Sequence, residues 1–373
     1  MKINEKVLGG EEKAVFALRE LYTKYGYSQY KMSKFEEYDL YARNKSFLVS
    51  DNVITFTGAS GTLMALKPDV TLSIIKSTKD APGSASKVYY NENVYRAEKN
   101  DGDFREIMQA GLECIGELDD YSLSEVVMLA AKSLETISED FVLDVSHLGI
   151  VADALDRLEL SPDGRKEVLS ALSEKNLHSA LSVCEREGVP KEKTELLSAL
   201  IISYGEPAEV IAQIMPLLSD GKAAAEELLR VIELASEGLP AGRIRIDFSA
   251  LGDMRYYNGI VMSGFVCGAP ESVLSGGRYD NLLRKMSRKS SAIGFAIYLD
   301  RLPELVKARD EFDLDILLIY DAGAAPALVK STAEKLMSEG NSVLAARAIP
   351  EKIKYKTMMK VGESGVFLLE NNA

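Results

Sequence analysis

The sequence predicts an α+β fold: an antiparallel sheet flanked by helices, interrupted by a helical insertion, and followed by a small α/β unit. Three observations lead there. Short runs of β-branched and aromatic residues separated by tight turns occupy residues 46–115 and return at 243–266. Between these blocks, residues 147–238 are rich in Leu, Ala, Glu and Lys. Beyond residue 313, strand-like and helix-like segments alternate.

Taken in order, Val15, Leu18, Leu21 and Tyr22 recur at helical spacing and predict an opening helix that ends at Gly26. Strands are expected at 46–49, 52–57, 87–91 and 103–115, with a short helix over 69–77. A longer helix is expected over 121–137, with Asp119 or Asp120 as its cap. About five short helices should fill 147–238, one of them started by Ser161 and Pro162. Strands follow at 243–248 and 256–266, then a buried strand from Ala292 that leads into a helix. In the last unit, strands at 314–320, 342–347 and 366–369 alternate with helices at 327–338 and 351–360, after a linker over 306–313. The expected organisation is a core of residues 1–149 and 241–310, an insertion of 150–240 and a terminal unit of 311–373.

A net charge of −13 and a pI near 4.9 argue against broad nucleic-acid binding, which needs a concentrated basic surface. Cys114, Cys184 and Cys267 are far apart and show no metal-like spacing, which fits a reducing compartment and a cytoplasmic location. No apolar run reaches membrane length, and the amino terminus has no apolar signal core, so neither a membrane nor export is expected. The two common nucleotide-binding glycine loops are absent. His147 and His178 lie far from any metal-binding or nucleophile motif, so structural roles are expected for both, with no metal and no cofactor.

Three segments stand out, and in the first polar residues alternate with apolar ones. In the first, Arg96 and Glu98 share one strand face, and Arg105, Gln109, Gly111 and Glu113 share another. A solvated sheet face would show the same pattern, but Gly111 and Gly116 favour a floor for a ligand, because glycine permits close approach. The second is Arg255-Tyr256-Tyr257-Asn258-Gly259-Ile260-Val261 with Ser275-Gly276-Gly277-Arg278-Tyr279-Asp280, and the third runs from Ala292 to Leu302.

In this order, the segments resemble class II histidine-tRNA ligases. Arg96-x-Glu98 with FREIMQAGLECIG (104–116) is similar to the ligase motif two, and GFAIYLDRL (294–302) to its motif three. YYNGIV (256–261) with GGRYD (276–280) resembles the histidine-recognition segment, and ALKPDVT (65–71) the loop that holds the histidine amino group. The resemblance implies a class II synthetase-like core and a histidine-type pocket made by Asp69, Thr71, Arg96, Glu98, Gln109, Glu113, Tyr256, Tyr257 and Arg278. It also implies lost catalysis. The histidine-specific arginine that stabilises charge during activation falls at Gly252, and a motif-three glycine is replaced by Tyr298, whose ring would fill nucleotide space. Arg96 and Arg301 match the family's other two arginines, one on the α-phosphate of ATP and one under the nucleotide, and Ser33 stands where the motif-one proline is expected.

These departures resemble the regulatory subunits of short-form ATP phosphoribosyltransferase, the first enzyme of histidine synthesis. That likeness implies a non-catalytic subunit that activates the short catalytic chain and contributes to feedback control by histidine. The implied partners are that catalytic subunit, histidine and a further copy of this chain. No tRNA is expected, since residues 313–373, which resemble a truncated anticodon-binding unit, carry seven Lys/Arg against eight Asp/Glu. An active ligase and a free-standing amino-acid-binding paralogue are the other readings of the same residues.

Overall fold

Helix α1 (Gly10–Lys24) buries Ala14, Val15, Leu18 and Tyr22 on one face and ends at Gly26, whose φ of +80° lies in the left-handed region. The computed structural model of the chain describes residues 8–45, 48, 53–80, 83–97, 103–302, 312–362 and 365–372. Strand β1 (Ser28–Gln29) follows, then β2 (Phe35–Glu37), α2 (Tyr38–Arg43), β3 (Thr55–Thr57) and β4 (Leu63–Leu66). Strands β2, β4 and β3 make a three-stranded antiparallel sheet. The expected strand at 46–49 and the linker at 306–313 fall largely outside the described residues.

After α3 (Thr71–Ser77), the hairpin of β5 (Ala85–Ala97) and β6 (Phe104–Gly116) pairs 13 residues in unbroken register. Helix α4 (Asp120–Ile137) is capped by Asp119, which accepts from the Ser122 N–H at 2.9 Å. Its buried Leu123, Val126, Val127, Ala130 and Leu134 repeat every three to four residues and pack against β7 (Phe141–His147). Burial of each larger aliphatic side chain contributes about 1.5–3 kcal/mol.

Six α-helices, rather than about five, occupy the described segment that follows: α5 (Leu148–Asp156), α6 (Pro162–Ser173), α7 (Leu177–Arg186), α8 (Glu195–Ile202), α9 (Pro207–Ile214) and α10 (Lys222–Ser236). A two-residue strand, β8 (Tyr204–Gly205), lies among them. Strand character returns in β9 (Ile244–Asp247), β10 (Ile260–Val266) and β11 (Leu274–Arg278), followed by α11 (Asp280–Lys285) and β12 (Ser291–Tyr298).

These strands form a nine-stranded sheet in the order β1-β5-β6-β12-β11-β10-β7-β9-β8. It is mixed rather than purely antiparallel, since β1 runs parallel to β5 and β7 parallel to β9. The β7–β9 pair is joined through the helical segment, a connection long enough to bring the chain back in the same direction. In sequence, β7 reads as an apolar run with Asp144 inside it, and that aspartate hid the strand.

The chain divides into two compact units, one of residues 11–303 and a smaller one that includes residues 304–373. In the smaller unit β13 (Leu314–Tyr320), α12 (Pro326–Ser338), β14 (Val343–Ala346), β15 (Tyr355–Gly362) and β16 (Gly365–Asn371) build a sheet of order β14-β13-β15-β16. The helix expected at 351–360 is replaced by β15. Buried Met358 and Val361 face opposite sides of the sheet and join two separate apolar clusters.

Candidate ligand-binding site

The larger unit contains a cavity of about 210 Å³, bounded by β5, β6, β11 and β12, the start of α3 and the loop after β9. Its floor follows strand parity. Gln109 and Glu113 of β6, Gly294, Ala296 and Tyr298 of β12, and Ser275 of β11 all line it. Gly294 has a direct reason to lack a side chain: a Cβ there would lie 1.8 Å from Glu113 Oε2. Gly111 and Gly116 serve a different purpose from the one expected. Their Cβ positions fall against Phe295 O and Tyr90, and against Ser84 O, so they let chain segments pack rather than admit a ligand.

Glu113 is buried, with Thr71 donating to Oε1 at 2.7 Å and Tyr279 donating to Oε2 at 2.5 Å. Desolvation lifts its pKa to about 8, against the opposing effect of the two hydroxyls. Asp69 is also buried and accepts from the Leu72 N–H at 2.9 Å, which fixes the start of α3. Its pKa is raised by burial, partly offset by the Leu72 N–H and by Arg96. Arg96 donates through Nε to Pro68 O at 2.8 Å and so pins the Ala65–Thr71 loop to β5. Gln109 is buried, and its Nε2 has no hydrogen-bond partner.

Three tyrosines form the aromatic wall. The backbone N–H groups of Tyr256 and Tyr257 both donate to Asp253 O, which turns their rings together at 4.8 Å, and the Tyr256 ring meets Tyr279 at 5.5 Å. Tyr298 donates to or accepts from Ser275 Oγ at 3.0 Å, and the Arg301 guanidinium sits over its ring at 4.4 Å. Arg301 is thereby engaged by Tyr298 and by Ser272 O. Gly252 adopts φ +55°, and a Cβ there would meet the Tyr257 ring at 2.8 Å and Val261 at 3.0 Å. Arg255, three residues after Gly252, pairs with Asp253 at 2.8 Å and is exposed.

Of the nine residues named from sequence, the cavity gathers Asp69, Thr71, Arg96, Gln109, Glu113, Tyr256 and Tyr257. Glu98 lies outside the described residues. Arg278 does not line the cavity: it points away toward Asp280 at 2.9 Å and Glu227 of α10 at 3.7 Å, where Glu227 also meets His147 at 3.3 Å. Both degenerate positions, Gly252 and Tyr298, line the cavity. The nine did not include Tyr90 and Asp253, nor Ser275 and Tyr279, although the last two lie in the second segment singled out in the sequence. Ser275, Gly277 and Tyr279 share one parity and Arg278 has the other, so period two along β11 was the signal that could have selected Tyr279. Among the described residues, no group of three His, Cys, Asp or Glu is placed to hold a metal ion.

A largely antiparallel sheet carrying this cavity between a hairpin, a paired-tyrosine loop and a glycine-bearing strand is the core of a class II aminoacyl-tRNA synthetase fold. The chain belongs to the histidyl-tRNA synthetase family, whose family model matches residues 7–302. An ATP phosphoribosyltransferase regulatory subunit from Thermoanaerobacter sp. (strain X514) is 31% identical over 290 residues, 76% of this chain and 75% of the relative. A histidine-tRNA ligase from Methanocaldococcus jannaschii is 27% identical over 333 residues, 87% of this chain and 79% of the relative. Among solved structures, an ATP phosphoribosyltransferase regulatory subunit/histidyl-tRNA synthetase from Bacillus halodurans C superposes with a TM-score of 0.75. Its sequence is 22% identical, and the match covers 95% of this chain and 94% of that one, a likeness of fold.

Proposed function

We propose that this chain is a regulatory subunit without catalytic activity of its own. In this reading it activates a short-form ATP phosphoribosyltransferase, at the first step of histidine synthesis, and mediates feedback by histidine. The observation that carries the reading is Gly252. At the position that the resemblance gives to the ligase's charge-stabilising arginine, the backbone is left-handed and a Cβ would press on Tyr257 and Val261. The Tyr298 ring, held by Ser275 and covered by Arg301, supports it by occupying the nucleotide side of the family's site. Relatives named as regulatory subunits support the same role and imply a catalytic partner chain.

In this reading histidine is the ligand of the cavity. Asp69, Thr71 and Gln109 face its amino group, Arg96 its carboxylate, and Glu113 with the tyrosine wall its ring, while Glu98 is assigned by resemblance alone. The residues are suited to a zwitterion with a ring, since Arg96 is the only Lys or Arg among the described lining residues and Asp69, Glu113 and Asp253 supply the acids. Binding would act by preferring one state of the complex. We also place the chain in the cytoplasm, in keeping with three free cysteines; no described helix is long and apolar enough to cross a membrane.

The test is co-elution of the purified chain with the short catalytic subunit, followed by histidine titration of the mixed activity. Inhibition that weakens at least tenfold in Thr71→Val supports the assignment; failure to form a complex refutes the regulatory reading. A second reading, an active ligase, is favoured by the coverage of the archaeal ligase relative and would show itself as tRNA charging by this chain.

A further inference from the structure

The charges around the cavity are unevenly matched. Arg96 acts on Asp69 and Tyr257, and Asp253 is paired with the Arg255 guanidinium. Glu113 is an enclosed carboxyl, and among the described residues the groups acting most strongly on it are the Thr71 and Tyr279 hydroxyls and a second acid, Asp69. The other titratable groups close by are the phenols of Tyr90, Tyr256 and Tyr257 and the Cys114 thiol, all pushed upward by burial and therefore neutral. Tyr298, from β12, adds a further phenol at the rim.

A carboxylate in such a place loses more hydration than two neutral hydroxyls return, so the empty cavity holds Glu113 as the acid. Its surroundings nevertheless suit both charge states. Each partner is a hydroxyl, able to donate to a carboxylate or to accept from a carboxylic acid, so the same two contacts survive loss of the proton. Gly294 leaves the carboxyl no room to swing toward β12.

We propose that Glu113 passes its proton to the ring nitrogen of an imidazole-bearing ligand on binding, and then holds that ligand as an imidazolium against its carboxylate. This rests on the reading of the cavity as a histidine site. The step balances without a third component: the Glu113 O–H bond breaks, a ring N–H bond forms, and no proton is exchanged with solvent. The carboxylate keeps its two hydroxyl donors and gains a charged N–H, and three donors with a counter-charge favour the ionised form. The cavity thereby distinguishes a basic ring from a neutral one of equal size, because only a base can accept the proton.

The experiment uses the full chain, alone and with the catalytic subunit, loaded with ring-¹⁵N L-histidine at about pH 7.2, where Glu113 is mostly the acid and the free ring, titrating at about 6.5, is mostly neutral. Expected are two protonated ring nitrogens in the bound ligand, and a calorimetric enthalpy that is the same in buffers of different ionisation heat. A bound ring with one bare nitrogen, release of about one proton to buffer on binding, or no binding in either form overturns the proposal. Glu113→Gln should remove the doubly protonated signature from any ligand still bound, and persistence of that signature also overturns it; if this variant does not fold, the wild-type spectrum decides. The activation assay on mixing reports on the regulatory reading separately, so a neutral bound ring would leave that reading standing.

Discussion

Replacing Gly252 by alanine tests why the ligase arginine cannot stand in this chain. The residue has φ +55°, where a side chain costs about 1–2 kcal/mol. The added methyl would also lie 2.8 Å from Tyr257 Cδ2 and 3.0 Å from Val261 Cγ1, both tighter than ordinary contact. Relief of such overpacking costs typically about 1–3 kcal/mol. Together these give a loss of about 2–5 kcal/mol, to be read as a shift in the urea midpoint at unchanged slope. The double variant with Tyr257→Ala removes the tighter of the two clashes but keeps the Val261 contact and the backbone penalty. Its cost should fall short of the sum of the single variants by about 1 kcal/mol or more, as expected for residues in contact. A Gly252→Ala protein within about 0.5 kcal/mol of wild type, or strict additivity in the cycle, would refute the reasoning.

Other outcomes follow from the same geometry. Asp144 is pushed up to about 7 by burial and by Asp247 beside it, so between about pH 4 and pH 7 the folded chain keeps a proton that the unfolded chain has lost. Stability from this group is therefore present below about pH 4 and is lost as the pH rises to 7. Asp144→Asn should gain on wild type by roughly 1 kcal/mol per pH unit across that window, and parallel urea stability curves for the two proteins would contradict it. Gly294→Ala puts a methyl against Glu113 Oε2 and should abolish histidine binding in calorimetry; retained affinity would show that Glu113 does not form the floor. Arg96→Met removes the cavity's one described lining cation and should weaken histidine binding by about 1.5–3 kcal/mol, the usual value of a charge-assisted hydrogen bond. An unchanged dissociation constant would place the ligand carboxylate elsewhere.

Much of the fold can be read in the sequence where local pattern and tertiary context agree. The β5–β6 hairpin, α4 with its Asp119 cap and α6 with Ser161 and Pro162 form where periodicity and capping chemistry point. Where tertiary pairing decides, the pattern misleads. Tyr355–Gly362 becomes a strand because it fits between β13 and β16, although its lysines and methionines suit a helix equally well. Strand β7 hides because Asp144 interrupts an apolar run, an aspartate whose pKa burial and Asp247 push up to about 7. The cavity was legible through Gln109, Glu113 and the Tyr256-Tyr257 pair. Arg278 was implied by the resemblance of GGRYD to a histidine-recognition segment, while parity along β11 turns Tyr279 toward Glu113 and sends Arg278 toward Glu227. The glycines divide in the same way. Gly111 and Gly116 admit neighbouring chain, and Gly294 admits the carboxyl that defines the site, a distinction that depends on which strand lies alongside.

The central claim is that this chain regulates and does not ligate. It is tested most directly by assaying ATP phosphoribosyltransferase activity of the short catalytic subunit from the same genome, with and without this chain, with tRNA charging measured in parallel. The account predicts activity that appears on mixing, falls with added histidine, and is accompanied by no charging. Histidyl-tRNA formed by this chain alone, with no effect on the transferase, would contradict it.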